Sequence, residues 1–276
     1  MRAAVLGLGE AGRLYARDLA AAGWQVAAFD PGDVPTPDGI LRAPTAAAAV
    51  QDAEFVLALS GAKAAVAVAE SVAGRLAPAA CYADLNSSGP ELKRAVADAL
   101  ATDDVRVADV AVLAPVPRGG AATPLAASGP GAAAVARYLT PLGAAVEVLD
   151  APVGAAAERK LLRSVFMKGL AAVLLESMAA ATAAGHGGWL RDQVADELSQ
   201  AGPWLIDRLL DGSRQHAVRR IHEMHAAIEE LSALGTPTDV SRAALAWLTR
   251  LADAHQPDQP DQLDQAEPEP VPEARS

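Results

Sequence analysis

Six residues near the start, Gly7-Leu8-Gly9-Glu10-Ala11-Gly12, carry the spacing G-x-G-x-x-G between an apolar run at 3–6 and a stretch of helical length. In that setting each glycine meets a separate steric demand: Gly7 allows a tight turn, Gly9 a close approach of pyrophosphate to the backbone, and Gly12 close packing of the helix. The helix opening there offers free N–H donors and the positive end of its dipole to phosphate. Asp30 ends the second apolar run eighteen residues past Gly12, where a carboxylate accepts hydrogen bonds from ribose hydroxyls and repels a 2′-phosphate. Pro31-Gly32-Asp33 follow without a base. The expectation is a dinucleotide site with NAD preferred over NADP, contacted by Gly7, Leu8, Gly9, Glu10, Ala11, Gly12, Asp30 and, after the third strand, Leu59 and Ser60.

A second group of reactive side chains lies at 158–168. Lys160, Arg163, Ser164, Met167 and Lys168 recur at i, i+3, i+4, i+7 and i+8, one face of about two helical turns, and three of the five are cationic. From 161 to 184 the only charges are Arg163, Lys168 and Glu176. This pattern predicts a mostly buried helix that exposes a short polar window near its N-terminal end. Asn86 and Ser87, just past the fourth strand, stand where they could orient a substrate or a nicotinamide.

The elements that must position these groups alternate. Short apolar runs at 3–6, 25–30, 55–59, 81–85, 105–110, 125–128 and 145–149 are separated by alanine-rich stretches at 11–22, 44–52, 61–76, 90–101 and 131–140, the pattern of βαβ units in a mostly parallel sheet. After 150 the strand signals stop. A run without proline from 155 to 184, then helices broken at Gly185, Gly202-Pro203, Gly212 and Gly235, predict an all-α half. The fold class is an α/β Rossmann domain (1–152) followed by a helical domain (153–252) for substrate and dimerisation. The length of 276 residues suits two domains. Residues 253–276 hold seven acidic side chains against Arg275, and five prolines, a composition that predicts a disordered tail.

Composition removes several classes. Lys plus Arg number 23 against 34 Asp plus Glu, for a net charge of −11, the wrong sign for a protein that neutralises many nucleic-acid phosphates. The single cysteine, Cys81, permits no intramolecular disulfide and reads as a core residue. No run of about 18 apolar residues is free of interruption, and no h-region follows Met1, so a cytoplasmic protein with no membrane partner is expected. His222-Glu223-Met224-His225 departs from H-E-x-x-H, and no metal is expected. Without a G-x-S-x-G elbow or a cysteine nucleophile paired with histidine, a hydrolase is disfavoured.

These residues resemble the β-hydroxyacid dehydrogenases, which include 3-hydroxyisobutyrate and 6-phosphogluconate dehydrogenases. The resemblance spans residues 1 to about 185: the glycine turn, Asp84-Leu85-Asn86-Ser87-Ser88-Gly89-Pro90 in place of D-x-S-T-x-x-P, and a lysine early in a long helix. It implies Lys160 as the general acid/base, with Asn86, Ser87, Arg163, Ser164 and Lys168 toward substrate. Glu176 matches a recurrent acid of that helix. The stretches from Lys160 and from His216 resemble a subgroup with its own helical C-terminal domain, the DUF1932 type. Two departures stand out. Arg163-Ser164 replaces the family's asparagine, and its D-A-P-V-S-G-G loop reads Asp109-Val110-Ala111-Val112-Leu113-Ala114-Pro115, without the Ser-Gly-Gly that cradles a carboxylate.

The implied reaction moves a hydride between nicotinamide and a hydroxyl or carbonyl carbon of a small anionic substrate. Lys160 exchanges the hydroxyl proton, its pKa lowered by nearby cations. Two alternatives remain: an imine reductase, though such enzymes commonly place aspartate or tyrosine where Lys160 sits, and a dinucleotide-binding protein without turnover. A helical half of about a hundred residues is small for closing a cleft alone, so a homodimer with shared helical domains is expected.

Overall fold

A computed structural model describes residues 1–101 and 104–254. The chain forms two compact units, Met1–Phe166 and a second beginning at Met167. In the first, β1(Arg2–Leu6), α1(Glu10–Ala21), β2(Gln25–Phe29), β3(Leu41–Arg42), α2(Ala46–Val50), β4(Phe55–Ala58), α3(Ala65–Val72), β5(Cys81–Asp84), α4(Pro90–Ala99), β6(Arg106–Val112), α5(Val116–Gly119), β7(Leu125–Ser128), α6(Ala132–Leu139) and β8(Val146–Val148) follow in order, and then α7(Ala155–Ala183) begins. The strands form one sheet in the order β3-β2-β1-β4-β5-β6-β7-β8. Every neighbouring pair is parallel except β6 and β7. The α/β expectation holds, with the switch of strand order between β1 and β4.

Period-two alternation builds a core on each face of the sheet. Ala3, Val5, Phe55, Leu57 and Cys81 pack on one side with Tyr15, Leu19, Trp24 and Tyr138; Ala4, Leu6, Val56 and Tyr82 pack on the other with Val50, Val72, Val96 and Leu100. Burial on both faces is what continuous apolar strands require of a parallel sheet. The Tyr138 ring stands edge-on to Trp24 at 5.2 Å between centroids, an arrangement suited to the ring quadrupoles. Two elements escape the sequence pattern. The edge strand β3 is two residues long with Leu41 68% exposed, too short for periodicity to register, and α5 is a single turn between strands.

The second unit contains the rest of α7, then α8(Gly187–Ser199), α9(Pro203–Gln215), α10(Ala217–Ala233) and α11(Asp239–Asp253). Its helices match the all-α expectation, except that α9 runs through Gly212, where a break was expected. Of the tail predicted at 253–276, Asp253 instead closes α11, and 255–276 lie outside the described residues.

The prediction that α7 is mostly buried is corrected. Leu162, Val165, Phe166 and Leu175 are each 66–74% exposed. Among the described residues α7 is the one helix long and apolar enough to cross a bilayer, with mean hydropathy 1.5 over its best window, of which 11% is buried. The reason for the miss is physical: apart from the stripe of Lys160, Arg163 and Lys168 the helix is apolar on its other sides, and those sides do not tell which of them the single chain covers.

Glu176, the second acid of that helix, is 8% exposed, and its carboxylate accepts from Val240 N–H and Ser241 N–H, both at 2.8 Å, and from Ser241 Oγ at 2.6 Å. It therefore caps the start of α11 from another helix. Burial pushes this carboxyl upward, but the Ser241 hydroxyl and the N–H groups of Val240, Ser241 and Asp239 outweigh it and hold the group below its ordinary 4.5. A depressed folded-state value contributes stability above the unfolded pKa, lost as pH falls through the folded one. Glu176→Gln is expected to cost about 1–2 kcal/mol at neutral pH. The difference from wild type in urea unfolding should vanish in acid; an equal difference at both pH values would contradict the cap.

Candidate functional site

The turn after β1 has the shape its glycines demand. Gly7 adopts φ +104°, and a Cβ there would lie 2.4 Å from the Leu59 carbonyl oxygen; a Cβ on Gly12 would lie 1.9 Å from that of Gly7. These two positions accept no side chain. Gly9 has open space, with nothing within 4 Å of the place a Cβ would take. As N-cap of α1 it supplies no side-chain hydrogen bond, so the first-turn N–H groups stay available to an anion. Gly7 also packs against Leu59 and Ser60, across the switch between β1 and β4, where ligands of open α/β sheets bind. Ser60 Oγ is buried without a hydrogen-bond partner among the described residues. The cradle fits a dinucleotide pyrophosphate.

Asp30 is tied to the same turn. Its Oδ2 accepts from Leu8 N–H at 2.7 Å and its Oδ1 from Gly32 N–H at 2.8 Å. Each carboxylate oxygen keeps acceptor capacity for a hydroxyl. No base stands beside Asp30 in the sequence, but the fold delivers one: Arg42, on β3, donates to the carbonyls of Asp30, Gly32 and Val34 and to Thr36 Oγ1. Nothing in the spacing signals this, because the contact depends on β3 pairing with β2.

At the other end of the site, three charged side chains share a buried space under β5 and β6. Lys93, on α4, is 1% exposed, and Asp84 and Asp109 are 1% and 0%. The two carboxylates are side by side because Asp84 and Asp109 are paired in register. Lys93 Nζ donates to the Asp84 carbonyl at 2.7 Å and lies 3.2 Å from Asp84 Oδ2 and 3.4 Å from Asp109 Oδ1. The latter two are ion pairs that fall short of aligned hydrogen bonds.

Each carboxylate then holds one half of the site. Asp84 Oδ1 accepts from the N–H and the side-chain amide of Asn86, at 2.9 and 2.7 Å, and Asn86 Oδ1 accepts from Gly61 N–H at 2.6 Å. This fixes the loop carrying Ser87 and the turn carrying Ser60. Asp109 Oδ2 accepts from Gly154 N–H at 3.2 Å and Ala157 N–H at 2.9 Å, and Ser128 Oγ accepts from Ala156 N–H at 3.1 Å. The N-terminus of α7 is thus capped by two strands of the sheet. One turn further on, Lys160 Nζ donates to Ser87 Oγ at 2.9 Å.

The structure therefore brings Lys160, Ser87 and Asn86 together. Arg163 and Lys168 are exposed and Ser164 half-buried on the following turns of α7. Burial pushes the Cys81 thiol up to about 12, against a smaller opposing effect of Arg106, consistent with a core residue. Lys93 and Asp109 were missed as structural groups, though one signal was present. Lys93 recurs with Val96 and Leu100 at i, i+3 and i+7, which puts a lysine on the apolar face of its helix.

Residues 2–149 match the family model described as the NAD binding domain of 6-phosphogluconate dehydrogenase, and residues 181–251 match DUF1932, a domain of unknown function. The first match covers more than half of the chain, which belongs to this family. No curated protein matches. A conserved hypothetical protein from Sinorhizobium meliloti 1021 is 30% identical over 94% of this chain and 90% of its own, with TM-score 0.59. An imine reductase from Streptomyces aurantiacus is 22% identical over 92% of this chain and 95% of its own, with TM-score 0.75. A reductive aminase from Aspergillus terreus, in complex with NADPH4, cyclohexanone and allyl amine, is 16% identical over 92% and 94%, with TM-score 0.74. The family indicates an NAD(P)-binding, dehydrogenase-like chain, and the two reductases share its fold.

Removing Lys93 leaves two buried carboxylates without their cation. Lys93→Met is expected to destabilise the protein by about 3–5 kcal/mol, read by urea unfolding; unchanged stability would contradict the charge cluster as described.

Proposed function

We propose that this chain transfers a hydride between a nicotinamide dinucleotide and a hydroxyl or carbonyl carbon of a small anionic substrate, in the cytoplasm. The observation that carries the reading is the Lys160–Ser87 hydrogen bond, 2.9 Å long, on an anchored helix start above the carboxyl edge of the same sheet that holds the glycine turn. Bound nicotinamide supplies or accepts the hydride. Lys160, as the neutral amine, takes the proton of the substrate hydroxyl while a carbonyl forms, and returns it in reduction. Ser87 holds the amine in place, and Asn86 braces the loop beneath. Arg163, Ser164 and Lys168 are assigned to the substrate's anionic group. Asp30 favours NAD by accepting ribose hydroxyls and repelling a 2′-phosphate.

A second reading, reduction of a C=N bond, is supported by the likeness in fold to the imine reductase and reductive aminase. A lysine in place of the aspartate or tyrosine commonly found in such enzymes favours the hydroxyl. A panel of hydroxy acids, sugar acids, phosphorylated alcohols, ketones and cyclic imines, followed by nicotinamide absorbance, separates them. Lys160→Ala is expected to lower turnover of a hydroxyl or carbonyl compound about 100- to 10,000-fold with cofactor affinity nearly intact. Turnover confined to imines, or retained in the variant, would overturn the assignment.

The partner we assign to the exposed apolar residues of α7, together with Trp204, Ile206, Leu209 and Leu210 of α9, is a second copy of the chain, in a homodimer with shared helical domains. Large apolar side chains left exposed in this number mark an interaction site. Light scattering at micromolar concentration should give twice the chain mass; a monomer would remove the proposal.

A further inference from the structure

Asp30 is held at both ends. Its carboxylate accepts from Leu8 N–H and Gly32 N–H, and its backbone carbonyl accepts from Arg42 Nη2 at 2.7 Å. Arg42 Nη2 also donates to the Gly32 carbonyl at 2.8 Å, and Nη1 donates to the Val34 carbonyl at 3.2 Å and to Thr36 Oγ1 at 3.1 Å. One planar fork thus gathers four acceptors from residues 30–36, a loop with neither helix nor strand. A guanidinium suits this task, since its donors diverge in fixed directions and it keeps its charge at every working pH. β3 has no comparable packing role, for Leu41, its other residue, is largely exposed.

The loop carbonyls lie near the surface, so water could replace Arg42 as their donor. What the loop would lose is order, and the Asp30 carboxylate would lose its place with it. We infer that Arg42 is a positioning residue for dinucleotide binding, acting through Asp30: it fixes the carboxylate where ribose hydroxyls are accepted. This rests on the dinucleotide reading above and adds to it the residue that makes Asp30 effective.

NADH titrations followed by nucleotide fluorescence test it in wild type, Arg42→Ala, Arg42→Lys, Asp30→Ala and the Arg42→Ala/Asp30→Ala double variant. Arg42→Ala is expected to weaken NADH about tenfold, the scale of one charge-assisted hydrogen bond. Arg42→Lys, which keeps the charge without the fork, should recover part of the loss and provides the readout if the alanine variant does not fold. In the Asp30→Ala background the Arg42 substitution should change affinity by less than about threefold, because the residue it acts through is gone. An equal loss in both backgrounds, or a lower thermal midpoint with unchanged affinity, would overturn the inference alone. A wild type that binds neither NADH nor NADPH would overturn the dinucleotide reading and this inference together.

Discussion

Three groups that each prefer water, the Lys93 ammonium and the carboxylates of Asp84 and Asp109, occupy a space no more than 1% exposed, and the layout of the site follows from how their charges are met. One cation faces two anions, so the cluster needs further donors. They come from the N–H groups at the start of α7 and from Asn86. The free end of a long helix supplies both hydrogen bonds and a favourable dipole to a carboxylate. Meeting that demand draws the first turn of α7 onto β6 and the Asn86–Ser87 loop onto β5. Lys160 and Ser87 meet because their two supports are joined beneath them by Lys93.

The glycine turn at the other end follows the same logic with backbone in place of charge. Gly7 and Gly12 exclude side chains by close contact with Leu59 and with each other, and Gly9 leaves the opening. Asp30 then links this turn to the rim through Leu8, and Asn86 links the Ser60–Gly61 turn to Asp84. Hydrogen bonds thus run from the Asp30 carboxylate to the glycine turn, and from the charge cluster to the turn carrying Ser60.

Much of this was legible in the sequence. The glycine spacing, the acid closing β2 and the lysine early in α7 each combine a residue type with a position that periodicity places correctly. The turn, Asp30 and the Lys160 helix are accordingly where the pattern puts them. What escaped depends on contacts between elements far apart in the chain. Arg42 is twelve residues beyond Asp30 on a strand too short to show a period, and Asp109 acts on N–H groups more than forty residues away. Lys93 was visible as an anomaly on an apolar face, but its partners were not. The burial of α7 was misread because, apart from its short cationic stripe, the helix is apolar on its other sides, and such a surface leaves open what covers it.

The central claim is that the glycine turn and the Lys160–Ser87 pair belong to one site. A crystal structure with bound NADH tests it most directly. The pyrophosphate should lie over Gly9 at the start of α1, with the ribose on Asp30 and the nicotinamide end directed toward Ser87 and Lys160. A dinucleotide bound elsewhere on the chain, or seated on the glycine turn with its nicotinamide turned away from Lys160, would contradict the account.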